Sequence, residues 1–278
     1  MHPLITAEQL HALLPQPQLR LFDCRFALMN PAAGAAAYTA GHVPGAVFID
    51  VNRELSAPHV AGKTSRHPLP EKAAWINTVR KLGITPECKV VLYDDAGGAS
   101  AGRMWWMLLW IGHADVVVLD GGWPAWIAAG LPTTTVVPAP RLQVEDRYSA
   151  LAPLVQLLEA DAVDGARQYL IDARDPPRFK GDVEPIDPVA GHIPGATCSP
   201  FAANLRSDGR FKTPQELRDK FAPVSDGRKP VVSYCGSGIT GCHNVLAMAV
   251  AGLPLPALYA GSWSEWITDP RRPIAKGE

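Results

Sequence analysis

Cys235 is the residue whose setting in this chain speaks most directly of chemistry. It closes a short apolar run, Val231-Val232-Ser233-Tyr234, and is followed by Gly236-Ser237-Gly238-Ile239 and a helical stretch from Thr240 to Ala251. A strand, a Gly-rich turn and a helix in that order put a sulfur at the carboxyl end of a strand. Free backbone N–H groups ring it, and a helix N-terminus faces it. Converging N–H dipoles favour negative charge, and a thiol held among them ionises more readily. The thiolate is the nucleophilic form of cysteine, so the spacing predicts nucleophilic sulfur chemistry.

The neighbouring residues narrow that chemistry. A cysteine phosphatase needs an arginine six residues after its cysteine to clamp phosphate, and Gly241 stands there. Cys242 and His243 are adjacent, which is not the spacing of a zinc site, so no metal is expected. The remaining cysteines, Cys24, Cys88, Cys198 and Cys242, bring the total to five, an odd and scattered set. They read as small packing residues in a reducing compartment, and a cytoplasmic location is the expectation. Net charge is -1, which leaves no electrostatic footprint for nucleic acid or an anionic membrane. The stretch from Met1 to Leu14 lacks the pattern of a signal peptide, and no uninterrupted apolar run approaches membrane length.

The elements that position Cys235 occur twice. Gly41-His42-Val43-Pro44-Gly45-Ala46 returns as Gly191-His192-Ile193-Pro194-Gly195-Ala196. Leu21-Phe22-Asp23-Cys24-Arg25 returns as Leu170-Ile171-Asp172-Ala173-Arg174, and Val90-Val91-Leu92-Tyr93-Asp94 returns as Val231-Val232-Ser233-Tyr234-Cys235. Leu119-Asp120-Gly121-Gly122-Trp123 is echoed near Leu258 to Trp266. Two units are too few for a solenoid, so a duplicated globular domain is expected. Short apolar strands such as Val116-Val117-Val118-Leu119 alternate with helical stretches such as Arg103 to Trp110. Runs apolar on both faces suit a buried parallel sheet, so each unit reads as α/β, with a central parallel sheet flanked by helices. Thr6 and Gln9 form the pattern of a capping box at the first helix. The expected division is 1–135, a linker over 136–149 and 150–278, the linker being marked by Pro138 and Pro140.

The repeat also predicts which half works. Asp94 stands where the second half has Cys235, and a carboxylate cannot do a thiolate's work. The first half is expected to be a catalytically silent copy, with the site beside Cys235 in the cleft between the halves.

With these motifs in order, the chain resembles the two-domain rhodanese-type sulfurtransferases over nearly its full length. The loop Cys235-Gly236-Ser237-Gly238-Ile239-Thr240 is similar to that of the 3-mercaptopyruvate sulfurtransferase branch. The resemblance implies a catalytic Cys235, with Gly236, Gly238, Ile239 and Thr240 on the substrate side and Arg178 binding the substrate. It also implies a relay in which Ser237 matches the serine and His42 the histidine. Two positions depart from the branch. Asp187 follows Glu184-Pro185-Ile186 where a second arginine is expected, and no acid lies between Asp23 and His42.

The physics of the loop fits that branch. Thiosulfate, a small dianion, would gain from cationic side chains after the cysteine, whereas Gly236 and Ser237 offer N–H groups and a hydroxyl. Mercaptopyruvate carries one carboxylate, which one guanidinium can hold with two parallel bonds. The expected reaction passes sulfur from a small-molecule donor to Cys235 as a persulfide. From there it goes to cyanide or to a thiol, either a small one or that of a thioredoxin-like protein, with no cofactor. A thiosulfate-preferring enzyme and a non-catalytic rhodanese-like binding module are the alternatives.

Overall fold

The computed structural model describes residues 2–139, 148–149 and 151–278. The chain divides into two compact units. One comprises Met1–Ala57, Pro70–Leu154 and Ser207–Phe211, and the other Pro58–Leu69, Val155–Arg206 and Lys212–Glu278. The expected halves were contiguous, whereas these units are not: the segment Pro58–Leu69 belongs with the second. Most of the expected linker, residues 140–147, lies outside the described residues.

The first unit runs β1 (Leu4–Ile5), α1 (Ala7–Leu13), β2 (Leu19–Asp23), α2 (Ala33–Ala40), β3 (Val47–Phe48), α3 (Lys72–Lys81), β4 (Lys89–Tyr93), α4 (Ala101–Trp110), β5 (Val116–Leu119) and α5 (Gly122–Ala128). Its five strands are ordered β1-β5-β4-β2-β3, and every pairing is parallel. Val116–Leu119 is buried at all four positions, as a strand covered on both faces must be. The capping box forms as expected: Thr6 Oγ1 accepts from the Gln9 N–H at 3.2 Å, and Gln9 Oε1 from the Thr6 N–H at 3.0 Å.

The second unit runs β6 (Leu157–Leu158), β7 (Tyr169–Asp172), α6 (Pro176–Lys180), β8 (Ala196–Cys198), α7 (Pro214–Phe221), β9 (Val231–Tyr234), α8 (Thr240–Val250), β10 (Ala257–Tyr259) and α9 (Ser262–Trp266). The order β6-β10-β9-β7-β8 repeats that of the first unit, again all parallel. The registers repeat as well. Asp23 pairs with Tyr93, and Asp172 pairs with Tyr234. Each sheet buries an apolar core, with Leu10, Leu21, Val91 and Trp126 in one and Leu170, Val232, Tyr259 and Trp263 in the other.

This topology decides where chemistry can sit. From β7 the chain crosses to β8 on one side, and from β9 it crosses to β10 on the other. The crevice outside the carboxyl ends of two such strands is where open parallel sheets bind ligands. Cys235 follows β9, and Arg174 and Arg178 follow β7. No helix among the described residues is long and apolar enough to cross a membrane.

Candidate active site

Cys235 is 2% exposed, at the bottom of the loop between β9 and α8. Two opposed effects act on its thiol. Burial, the largest, pushes its pKa up. A hydrogen bond from the Thr240 hydroxyl and backbone N–H groups of Ser237, Gly241 and Gly238 together outweigh burial and hold the thiol below its ordinary value. The Gly238 N–H lies 3.1 Å from Sγ. The loop therefore favours the thiolate, as the sequence predicts.

The loop is held from behind by α9. Trp263 and Ser264 donate their N–H groups to the carbonyls of Cys235 and Gly236, both at 2.9 Å. Ser262 accepts the Cys235 N–H at 3.1 Å, donates to the Tyr259 carbonyl at 3.0 Å and lies 3.9 Å from Sγ. Ser262 has φ 57°, the one described non-glycine residue in the left-handed region. Its counterpart in the first unit is Gly122, φ 55°, where an added Cβ would lie 2.1 Å from the Asp94 carbonyl oxygen. A serine is thus kept in a conformation that suits glycine, and its hydroxyl sits against the Cys235 thiol.

In the first unit the same loop closes on a carboxylate. Asp94 is fully buried and accepts the N–H groups of Ala96, Gly98, Ser100 and Ala101 at 2.8–2.9 Å, along with the Ser100 hydroxyl at 3.1 Å. The fold builds an anion cradle twice. One is filled permanently by Asp94, and the other holds Cys235.

Ser237 has a histidine partner, but not the expected one. Its Oγ lies 2.8 Å from Nδ1 of His67, and both residues are buried. His67 sits in Pro58–Leu69, the segment counted with the second unit. His42 is instead structural. Its Nδ1 meets the Tyr38 carbonyl at 2.8 Å, its Nε2 meets that of Val136 at 3.2 Å, and its ring stacks on Tyr38 at 3.9 Å. His192 does the same in the second unit, with Nδ1 2.8 Å from the Phe179 carbonyl and its ring stacked on Phe179. The Gly-His-x-Pro-Gly motif is a turn built around a backbone-bonded imidazole, and the expected pairing of Ser237 with His42 is corrected: the histidine at its hydroxyl is His67.

Arg178 lies on α6, and a Cβ on Gly236 would sit 3.6 Å from its Nη1 and Nη2. Its Nε and Nη2 grip Glu184 at 3.1 and 2.7 Å, and Nη2 also reaches Asp187 at 3.1 Å. Burial pushes Glu184 up, but the Arg178 hydrogen bonds and the N–H groups of Asp187 and Ile186 hold it below the usual carboxylate range. Gly241 packs tightly, since a Cβ there would lie 3.2 Å from the Tyr234 backbone, so the position that a phosphatase fills with arginine admits little. No cluster of residues that could hold a metal ion occurs among the described residues.

The profile of the Rhodanese-like domain matches this chain twice, over residues 6–129 and 151–269. The chain belongs to the rhodanese-like family. A Pseudomonas aeruginosa protein named "Probable 3-mercaptopyruvate sulfurtransferase" is 51% identical, over 99% of this chain and 98% of its own length. The thiosulfate sulfurtransferase of Bos taurus is 35% identical, over 94% and 89%. The crystal structure of SseA from Escherichia coli, described as a 3-mercaptopyruvate sulfotransferase with the rhodanese fold, superposes with a TM-score of 0.80 at 30% identity, covering 95% of this chain and all of that one. Relatives of both donor types move sulfur, so family membership carries sulfur transfer to this chain.

Proposed function

We propose that 3-mercaptopyruvate is the sulfur donor of this sulfurtransferase, and that a thiol or cyanide is the acceptor. The observation that carries the reading is the buried Cys235 thiol, held toward the thiolate by the loop N–H groups and Thr240, with the Ser237–His67 pair beside it. The Cys235 thiolate attacks the donor sulfur and forms an S–S bond as the donor's C–S bond breaks. The electron pair leaves on carbon as pyruvate enolate, which takes up a proton to give pyruvate. Ser237 is in place to pass that proton, with His67 as its partner. The terminal sulfur of the persulfide carries the charge and rests on the same N–H groups. An acceptor thiolate, from a small thiol or a thioredoxin-like protein, or cyanide, attacks that sulfur and restores Cys235. The setting we propose is the reducing cytoplasm, in keeping with five free cysteines.

One observation favours thiosulfate as the second reading. Two guanidinium groups, Arg66 and Arg178, stand beside Gly236, so positive charge reaches the loop from outside it. Steady-state sulfur transfer with each donor, in wild type and Cys235→Ser, decides between them. A mercaptopyruvate preference lost in the variant is expected. A thiosulfate preference would overturn the donor assignment, and silence with both donors would favour a binding module.

A further inference from the structure

A cavity of about 340 Å³ opens in the first unit, at the β3 edge of its sheet. Its size is that of a small-ligand site, and such sites are mostly apolar with a few polar groups that fix orientation. Phe22 of β2, Val47 and Phe48 of β3, Tyr38 of α2 and Val137 supply the apolar wall. That wall is held firmly. Tyr38 stacks on His42, lies 5.7 Å from the Phe48 ring and donates its hydroxyl to the Ala46 carbonyl at 2.8 Å. His42 exchanges two backbone hydrogen bonds with Thr134, at 2.9 and 3.0 Å, and its ring meets the Val136 carbonyl, which fixes the chain leading to Val137.

The charges on the lining have one sign. Arg20 and Lys81 belong to it, and no acidic residue does. Backbone carbonyls hold the Arg20 guanidinium in place. Its Nε donates to Gly83 at 2.6 Å, and its Nη1 to Pro17 and Leu19 at 2.9 and 3.0 Å. Its Nη2 and the Lys81 Nζ have no hydrogen-bond or ion-pair partner among the described residues. The repeat shows that the space belongs to one unit. Gly45, φ 82°, lies on the lining, and a Cβ added there would meet nothing within 4 Å. Its counterpart Gly195, φ 81°, is walled off by the second unit's own chain, since a Cβ there would lie 3.1–3.2 Å from Gly165. The same turn is covered in one copy and open in the other, and the open one has two cations beside it.

We propose that this cavity binds a small carboxylate with an apolar body, such as a medium-chain fatty acid. Its chain lies against Phe22, Tyr38 and Phe48, and Arg20 and Lys81 meet its charge. A guanidinium already fixed by backbone carbonyls loses little freedom when the ligand arrives.

Calorimetric titration of the full chain with octanoate and with octanol tests the assignment. Octanoate should bind once per chain and about 10-fold tighter than octanol, which has the same chain without the charge. Arg20→Gln should weaken octanoate about 10- to 100-fold, the loss of a hydrogen bond to a charged group, and leave octanol unchanged. Arg20 also ties three carbonyls, so Lys81→Gln, at an exposed side chain, gives an independent reading. It should weaken octanoate about 2- to 5-fold. Val47→Trp puts an aromatic residue that strands accept into the wall and should block both ligands. Absence of octanoate binding at about 1 mM overturns the proposal. Equal affinity for octanoate and octanol does so too, and so does an octanoate affinity that none of the three variants moves, because the ligand would then sit elsewhere.

Discussion

The thiolate of Cys235 owes its stability to few groups, and one of them can be removed almost without changing shape. Thr240 opens α8, and its hydroxyl is first among the groups that lower the Cys235 pKa against the opposing push of burial. Thr240→Val replaces that hydroxyl with a methyl of similar size. The backbone N–H groups of Ser237, Gly238 and Gly241 stay, as does the burial. A hydrogen bond to a charged group contributes about 1.5–3 kcal/mol. Its loss raises the thiol pKa and cuts the thiolate fraction about 10- to 100-fold at any pH below the titration midpoint. Alkylation by iodoacetamide, a neutral reagent, measured from pH 5 to 10, reads that fraction. Its rate should climb with pH in both proteins, with the valine variant's curve displaced to higher pH and the two plateaus alike. Thr240→Ser should restore the wild-type curve. A valine variant with the wild-type pH profile would refute the account, because it would leave the backbone N–H groups alone responsible for charging the sulfur.

Three further outcomes follow from the geometry. His67→Gln should lower kcat about 100-fold with KM little changed, while His42→Gln should lower the melting temperature and leave kcat near wild type; steady-state kinetics beside thermal melts separates them. Ser262→Ala keeps a left-handed backbone and orphans the Cys235 N–H, so it should destabilise by about 1–3 kcal/mol in urea. Ser262→Gly relieves the backbone and should be about 1 kcal/mol more stable than the alanine variant, with the reverse order counting against strain at this residue. Asp94→Asn turns an acceptor toward N–H groups that need one, and urea unfolding should show a loss on the order of 3 kcal/mol.

The placement of Cys235 was legible because its neighbours carry a local physical code: an apolar strand, two glycines and a helix start. The duplicated α/β architecture was legible because strand ends and turns recur in the same order. The histidine partner of Ser237 was misplaced for a related reason. His42 lies in a motif present in both halves, while the loop cysteine is present in one. A residue shared by a copy with the loop cysteine and a copy without it serves what they share, which is the turn. His67 lies in Ser65-Arg66-His67-Pro68-Leu69, a stretch with no repeat partner, and that asymmetry was the available signal. Neither periodicity nor propensity says that Pro58–Leu69 leaves the first unit to join the second, because the pairing of Arg66 with Asp187 is long in sequence and has no local pattern. Arg178 was found from resemblance, but the occupation of its fork by Glu184 depends on a loop conformation that a sequence does not display.

Asp94 fills its cradle with a side chain that sulfur reagents do not touch. Peroxide, heavy metals and electrophiles can convert Cys235 to other species, and a cradle built for any small anion would also hold a sulfenate. None of these agents alters the carboxyl group that closes the first loop, so that loop keeps its hydrogen bonds while the one around Cys235 changes. Chemical wear at the two cradles falls on the one that holds Cys235.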